Sequence, residues 1–324
     1  DPPEILESDL APLLLDCARW GENDPAKLRW LDLPPAAAVQ QARKLLMSVD
    51  ALDAHGHITS HGTMLANLPL PPNLAHMVAL AAQSGQAEDA AMLAVLLQER
   101  GLGGQFEDIE TRFERFVREH GAKADAARML AQRIARLCGA SGDKQMLSIG
   151  GLIGSAFPDR IAKRRDAKGE KWISAMGRGL QLDAASLLAR AEWLAVADVQ
   201  GAASGARILS AAALTEAEIV DRFGHRIESK QILTYDKSTD RVDARVQRRL
   251  GAIVLSEGRV EKPDPQAVAS ALMAAVQDMG IDALPWPLSA RALRERAQFA
   301  GVASLRDDAL AERMEQWLLP LLGK

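Results

Sequence analysis

A chain of 324 residues with 48% hydrophobic and 25% charged residues has the balance of an ordinary folded protein of two to four domains, not of a disordered or fibrous one. Its formal charge of −4 excludes a uniformly basic nucleic-acid binder, and it has no run of about 18 apolar residues to span a membrane. Aromatics at 4% beside abundant Ala and Leu favour helix. Two cysteines, Cys17 and Cys138, are too few for a disulfide framework and imply a reducing, cytoplasmic compartment.

The first residue is Asp1 and no charged-then-apolar leader follows, as expected of a piece of a longer protein or a trimmed product. Residues 1–68 are acidic, with ten Asp or Glu against five Lys or Arg. Pro2-Pro3 predicts a helix start, with Leu6, Leu10, Leu13 and Leu14 on one face. A second helix is expected from Ala36 to Val49 after Pro34-Pro35. The His55-Gly56 turn between Leu52 and Ile58 then predicts a short hairpin over Ala51–Gly62. Helix, helix, hairpin is the outline of a winged helix, although its acidity argues against a phosphate-facing role.

Residues 69–155 read as a bundle of five helices with short joins. Their expected faces are Leu74, Met77, Val78 and Ala81; Ala87–Glu99; Phe106, Ile109, Phe113, Phe116 and Val117; Met129, Leu130, Ile134 and Leu137; and Gln145–Ala156.

The period then changes, and the charge reverses. From Phe157 to Gly179 seven basic residues stand against three acidic ones. Arg160–Arg165 and Lys171–Ala175 flank a turn signal at Asp166–Gly169, which predicts a basic hairpin. Strands are also expected at Trp193–Val199 and Arg207–Ala213, around a loop at Gly201–Gly205. Together these suit a small barrel of the oligonucleotide/oligosaccharide-binding type over residues 156–224. Clustered Lys and Arg with an exposed aromatic such as Trp172 form a groove for a nucleic-acid backbone, and Trp172 and Trp193 are candidates to stack bases. A solvated, charged edge strand and half-buried barrel tryptophans are the competing readings. Thr215–Phe223 is a capped helix, with Glu218 three residues after Thr215.

In residues 225–324, strands are expected at Glu228–Tyr235 and Arg241–Leu255, with a second basic surface at Arg241, Arg245, Arg248 and Arg249. Helices are expected at Gln266–Met279, Ser289–Ala300 and Asp307–Leu319.

Several chemistries are missing. Gly150-Gly151-Leu152-Ile153-Gly154 lacks the Lys and Ser/Thr of a phosphate loop and reads as close helix packing. No GxSxG elbow is present. His55, His57 and His61 with Asp53 are possible metal ligands, but without Cys or a fixed two-pair spacing a solvated wing tip explains them better, and no metal site is assigned.

The order of parts resembles a known family. ALDAHGHITSHGTMLANLPLPPNLAHMV, Ala51–Val78, is similar to the winged-helix-to-ratchet junction of DEAH-box RNA helicases, with Asp50 where that pattern has Gly and Ile58 where it has Leu. AFPDRIAKRR…AMGRG (Ala156–Gly179), RRLGAIVLSE (Arg248–Glu257), LPWPLSARALRERAQF (Leu284–Phe299) and EQWLLPLLGK (Glu315–Lys324) resemble the bacterial HrpB branch. The resemblance implies a mainly α multidomain chain with small β domains: a winged helix over 1–68, a helical ratchet over 69–155, an OB-like barrel over 156–224 and an α+β C-terminal domain over 225–324. It implies an accessory half of an ATP-dependent 3′–5′ RNA helicase. ATP and Mg²⁺ would be bound by RecA-like motor domains outside this sequence, so no catalytic residue and no cofactor site is assigned here, and the chain alone is expected to be inactive as an ATPase.

The expected partners are single-stranded RNA and those motor domains. The residues expected to meet phosphates are Arg160, Lys163, Arg164, Arg165, Lys171, Arg178 and Arg207, which position the strand without reading it. A different class of function stays open: a scaffold whose charged surfaces dock the motor domains or an acidic partner, with RNA binding incidental.

Overall fold

The computed structural model describes residues 3–139, 142, 145–201 and 204–322. Parts of the predicted Gly201–Gly205 loop, of the Pro2-Pro3 start and of the closing Gly323-Lys324 lie outside them. The chain forms two compact units, residues 1–226 with 251–253, and residues 227–250 with 254–324.

The first unit opens with two helices where one is expected, α1 (Glu4–Glu7) and α2 (Ala11–Arg19). The Asp9 carboxylate accepts a bond from the Ala11 N–H and starts a new helix at Ala11-Pro12. Leu6 is therefore exposed, while Leu10 and Leu14 enter the core. After α3 (Ala36–Ser48), Asp50 takes a left-handed φ of 55° and the chain turns. The predicted hairpin is reduced to one bridge, Leu52 to Ile58. Its second arm becomes a helix, α4 (Ser60–Leu65), because Thr59 Oγ1 accepts from the Gly62 N–H at 2.8 Å as an N-cap. Leu10, Leu14, Leu46, Val49, Leu52 and Leu65 share a core with Ala75 and Ala79 of α5 (Pro72–Ala82).

Four more helices follow: α6 (Ala87–Gln98), α7 (Ile109–Arg118), α8 (Ala122–Cys138) and α9 (Ile149–Ala156). Of the face expected for α8 only Ile134 is buried. Ala124, Ala127, Ala131 and Ile134 are buried, whereas Met129, Leu130 and Leu137 are exposed. Alanines let helices approach closely, so small residues form the seam and the long ones stay outside. The glycines of α9 serve the same purpose. A Cβ on Gly150 would stand 2.0 Å from the Ala213 carbonyl oxygen, and one on Gly154 would stand 2.8 Å from the Phe223 ring.

Five strands then close a barrel in the order β1-β2-β3-β5-β4: β1 (Ile161–Arg164), β2 (Lys171–Ser174), β3 (Gly179–Gln181), β4 (Trp193–Gln200) and β5 (Ser204–Leu214). All pairings are antiparallel except β3 with β5. Ala162, Trp172, Leu180, Leu194, Val196, Ala206 and Ile208 fill the interior. The capped helix α10 (Glu216–Phe223) has the predicted reciprocal cap between Thr215 and Glu218.

In the second unit, β6 (Ile227–Asp236), β7 (Arg241–Leu250) and β8 (Ile253–Arg259) form one sheet in that order. The expected single strand Arg241–Leu255 is split where Gly251 turns at a φ of 56°. Helices α11 (Pro265–Met279) and α12 (Leu288–Phe299) follow, and the expected Asp307–Leu319 helix is broken into α13 (Asp307–Glu312), α14 (Met314–Trp317) and α15 (Leu319–Leu322). Met273, Val276, Ile281, Met314 and Leu318 pack together, with Trp286 and Trp317 against them. No helix of the described residues is long and apolar enough to cross a membrane.

Candidate nucleic-acid interface

The basic hairpin forms as the sequence suggests. In β1 and β2, Lys163 lies opposite Ile173 and Arg164 opposite Trp172. The Arg165 N–H bonds to the Lys171 carbonyl at 2.8 Å and extends the ladder by one residue. Lys171 in turn lies opposite Gln181, and Gln181 opposite Arg207. Successive side chains on a strand alternate between faces, so cross-strand partners share one. Arg165, Lys171, Gln181 and Arg207 therefore stand side by side in one row on the barrel's outer surface, and all four are exposed. Four strands about 4.8 Å apart make that row about 14 Å long.

The seven sequence-predicted cations divide into three groups. Arg165, Lys171 and Arg207 share the row, and among the described residues neither Arg165 nor Lys171 has an ion-pair partner. Lys163 sits on the same face two residues from Arg165, with its ammonium 3.6 Å from Glu192 and 4.9 Å from the centre of the Trp193 ring. Arg164 points to the other face. It shares that face with Ala162 and Trp172, and its guanidinium donates to the carbonyls of Ala189 and Arg190 at 3.2 and 3.3 Å. It closes the barrel rim instead of facing a ligand.

Arg160 and Arg178 form the third group, away from the row. Arg160 donates to the Ala197 carbonyl and lies over the Phe157 ring at 4.8 Å. Burial lowers its affinity for a proton, with neighbouring Arg178 adding to the effect and Asp198 opposing it. Arg178 donates to the Gly201 carbonyl at 2.9 Å.

Two expectations about aromatics fail. Trp172 is 1% exposed and donates its indole N–H to the Gly169 carbonyl at 2.8 Å, and Trp193 is fully buried. Trp172 belongs to the barrel interior, because it alternates with the outward Lys171 and so faces in, whereas Trp193 lies opposite Lys163 on the other face of the sheet and is buried there. Gly169 makes the turn possible: its φ is +74°, and a Cβ there would stand 2.1 Å from the Ala189 carbonyl oxygen. Neither tryptophan can stack a base.

The sequence reading missed two neighbours of the row. Gln181 joins it through β3, the strand into which Met176–Gly179 is expected to lead, but nothing in the sequence singles out its side chain. Glu107 sits 3.2 Å from Arg207, one hundred positions away. Its carbonyl accepts from the Ala211 N–H at 2.9 Å, and Asp108 bridges Ala211 in parallel, so residues 107 and 108 add a short strand beside β5. Nothing local in the sequence signals that contact.

Other candidates dissolve. Arg245 of the second basic surface is held by Asp243 and Glu257, both of which keep it protonated. Arg248 lies in the alternate phase to Arg241, Arg245 and Arg249 and so faces the opposite side of the sheet. His57 stays near Asp53 at 3.5 Å, but His61 turns away to His76, with 2.8 Å between ring nitrogens. Among the described residues no group of His, Cys, Asp and Glu could hold a metal. The glycine-rich start of α9 is filled by protein: Ser148 caps it and hydrogen-bonds the Glu218 carboxylate, so an anion of the chain already stands there.

No family model matches the chain. It is 32% identical over 327 aligned residues to the ATP-dependent RNA helicase HrpB of Escherichia coli, covering 98% of this chain and 39% of that protein. A shorter match, 34% over 83 residues and 26% of this chain, is to the probable ATP-dependent RNA helicase DHR2 of Saccharomyces cerevisiae, of which it covers 11%. Two crystal structures of the Escherichia coli protein superpose with TM-scores of 0.73 and 0.71 at 30% and 28% identity, each covering 99% of this chain and 40% of that one. The chain thus spans about two fifths of the length of the relatives it matches from end to end.

Proposed function

As the C-terminal part of an HrpB-type helicase, the chain is, we propose, an accessory module that binds single-stranded RNA and guides it for an ATP-driven motor. The observation that carries this reading is the row Arg165–Lys171–Gln181–Arg207, four exposed polar side chains on adjacent strands with three positive charges. Such a row attracts phosphates without reading bases. Closure in the order β1-β2-β3-β5-β4 suits a barrel of the oligonucleotide-binding type. On this reading residues 1–68 act as a winged helix, 69–155 as a ratchet bundle and 225–324 as the C-terminal domain.

Unwinding of RNA from 3′ to 5′, and the ATP and Mg²⁺ that drive it, belong to RecA-like domains outside this sequence. The glycine-rich start of α9 offers no room for a phosphate, because Ser148 and Glu218 close it.

Binding of a fluorescent single-stranded RNA by the chain tests the reading. Changing Arg165, Lys171 and Arg207 together to Gln should weaken binding at least tenfold at low salt, because each phosphate contact adds to the salt-dependent affinity. Equal affinity of the two proteins would refute the assignment.

A second role is favoured by a separate observation. Trp20, Leu31 and Leu33 are exposed within the acidic residues 1–68. A surface of that kind suits docking to the motor domains. Capture of separately produced motor domains, lost on changing Trp20 and Leu31 to Ser, separates this role from RNA binding.

A further inference from the structure

Resting on the RNA reading above, we propose that Phe106 is a nucleobase-stacking platform at the Arg207 end of the cation row. The sequence pattern places this ring on the buried face of a helix. In the structure it precedes α7 and is 37% exposed.

The loop that carries it is built to hold its shape. Gly101, Gly103 and Gly104 all take positive φ, at +87°, +66° and +82°. A Cβ on Gly103 would stand 2.1 Å from the Arg112 carbonyl oxygen. The Gly103 N–H donates to the Glu119 carboxylate at 2.8 Å, and Leu102 is fully buried. The ring itself is fixed from two sides. The Arg115 guanidinium lies 4.0 Å from its centroid, and Gly104 sits so close that a Cβ there would be 2.9 Å from Cε2. An exposed aromatic held this way has lost its freedom before any ligand arrives, which is what makes stacking on it favourable.

Its position is set by the next two residues. Glu107 meets Arg207, and Asp108 bridges Ala211 in parallel. Two residues before Asp108 on one segment stands Phe106. On β5, Leu209 stands two residues after Arg207 and is also 37% exposed. An aromatic and an aliphatic side chain thus accompany the last cation of the row. A strand whose phosphates follow Arg165, Lys171 and Arg207 brings a base to Phe106. Stacking of this kind accepts any base, because every base has a π-face.

The test uses the whole 324-residue chain, a fluorescent oligouridylate and an abasic phosphodiester of the same length. Phe106→Leu keeps the apolar bulk and should weaken oligouridylate binding about 5- to 10-fold, with Phe106→Trp restoring it. The slope of affinity against salt should stay unchanged, since no phosphate contact is lost. The wild-type chain should bind the abasic oligomer more weakly than oligouridylate by a similar factor, and Phe106→Leu should not weaken that binding further. Undiminished oligouridylate binding by Phe106→Leu, or equal wild-type affinity for the two oligomers, overturns the platform and leaves the RNA reading standing. A wild-type chain that binds neither oligomer removes both.

Discussion

Glu107 pairs with Arg207 across 3.2 Å at one end of the outward row of cations. The Arg207 side chain is 64% exposed, so solvent screens the pair and its worth to folding is small, about 0.2–1 kcal/mol. Its effect on a phosphate is larger, because the carboxylate both occupies the guanidinium and repels the ligand. Glu107→Gln should therefore tighten RNA binding about two- to fivefold, within the energy range of such a pair. Fluorescence titration checks this, and weaker binding by the variant would count against the row as the RNA path.

Asp50 has a φ of 55°, a conformation that glycine adopts without steric cost. It stands where the DEAH-box pattern has Gly, so the chain keeps the turn and accepts the strain. Asp50→Gly should raise stability by about 0.5–1 kcal/mol, while Asp50→Val, β-branched, should lower it by more. Thermal or urea unfolding of both variants measures the difference. A destabilised Gly variant would show that the Asp side chain is needed for more than the turn.

His76 is 8% exposed and packed against His61, with Arg226 nearby. Burial, first, and these two neighbours, second, push its pKa down from 6.5 to about 3, and burial lowers that of His61 as well. The folded state thus refuses a proton that the unfolded chain accepts. The stability tied to neutral His76 is complete above pH 6.5 and is lost as the pH falls towards 3, at about 1.4 kcal/mol per pH unit. Unfolding midpoints measured from pH 7 to pH 4 should fall more steeply for the wild type than for His76→Gln. Parallel curves would mean that another group dominates the acid limb.

What was legible in the sequence was local. The Thr215–Glu218 cap, the Asp166–Gly169 turn and the helices α5 and α6 each depend on residues a few positions apart. The alternation of Lys171 and Trp172 already carried the information that only one of them faces out, yet composition alone suggested that both served the ligand. The α8 seam was misread because long apolar side chains draw attention that three buried alanines do not. The row itself needs the parallel pairing of β3 with β5, and the Glu107 contact needs a segment from before α7 to dock on the barrel. Neither relationship leaves a periodic trace, because both join residues distant in the chain.

The salt dependence of RNA binding tests the central claim most directly. Each phosphate contact to a single strand contributes a slope of about −0.7 in log affinity against log salt. The Arg165→Gln, Lys171→Gln, Arg207→Gln triple variant should therefore have a slope shallower than the wild type by about 2, whereas Arg164→Gln, whose guanidinium is spent on the Ala189 and Arg190 carbonyls, should leave it almost unchanged. A triple variant with the wild-type slope would contradict the assignment of this row to RNA.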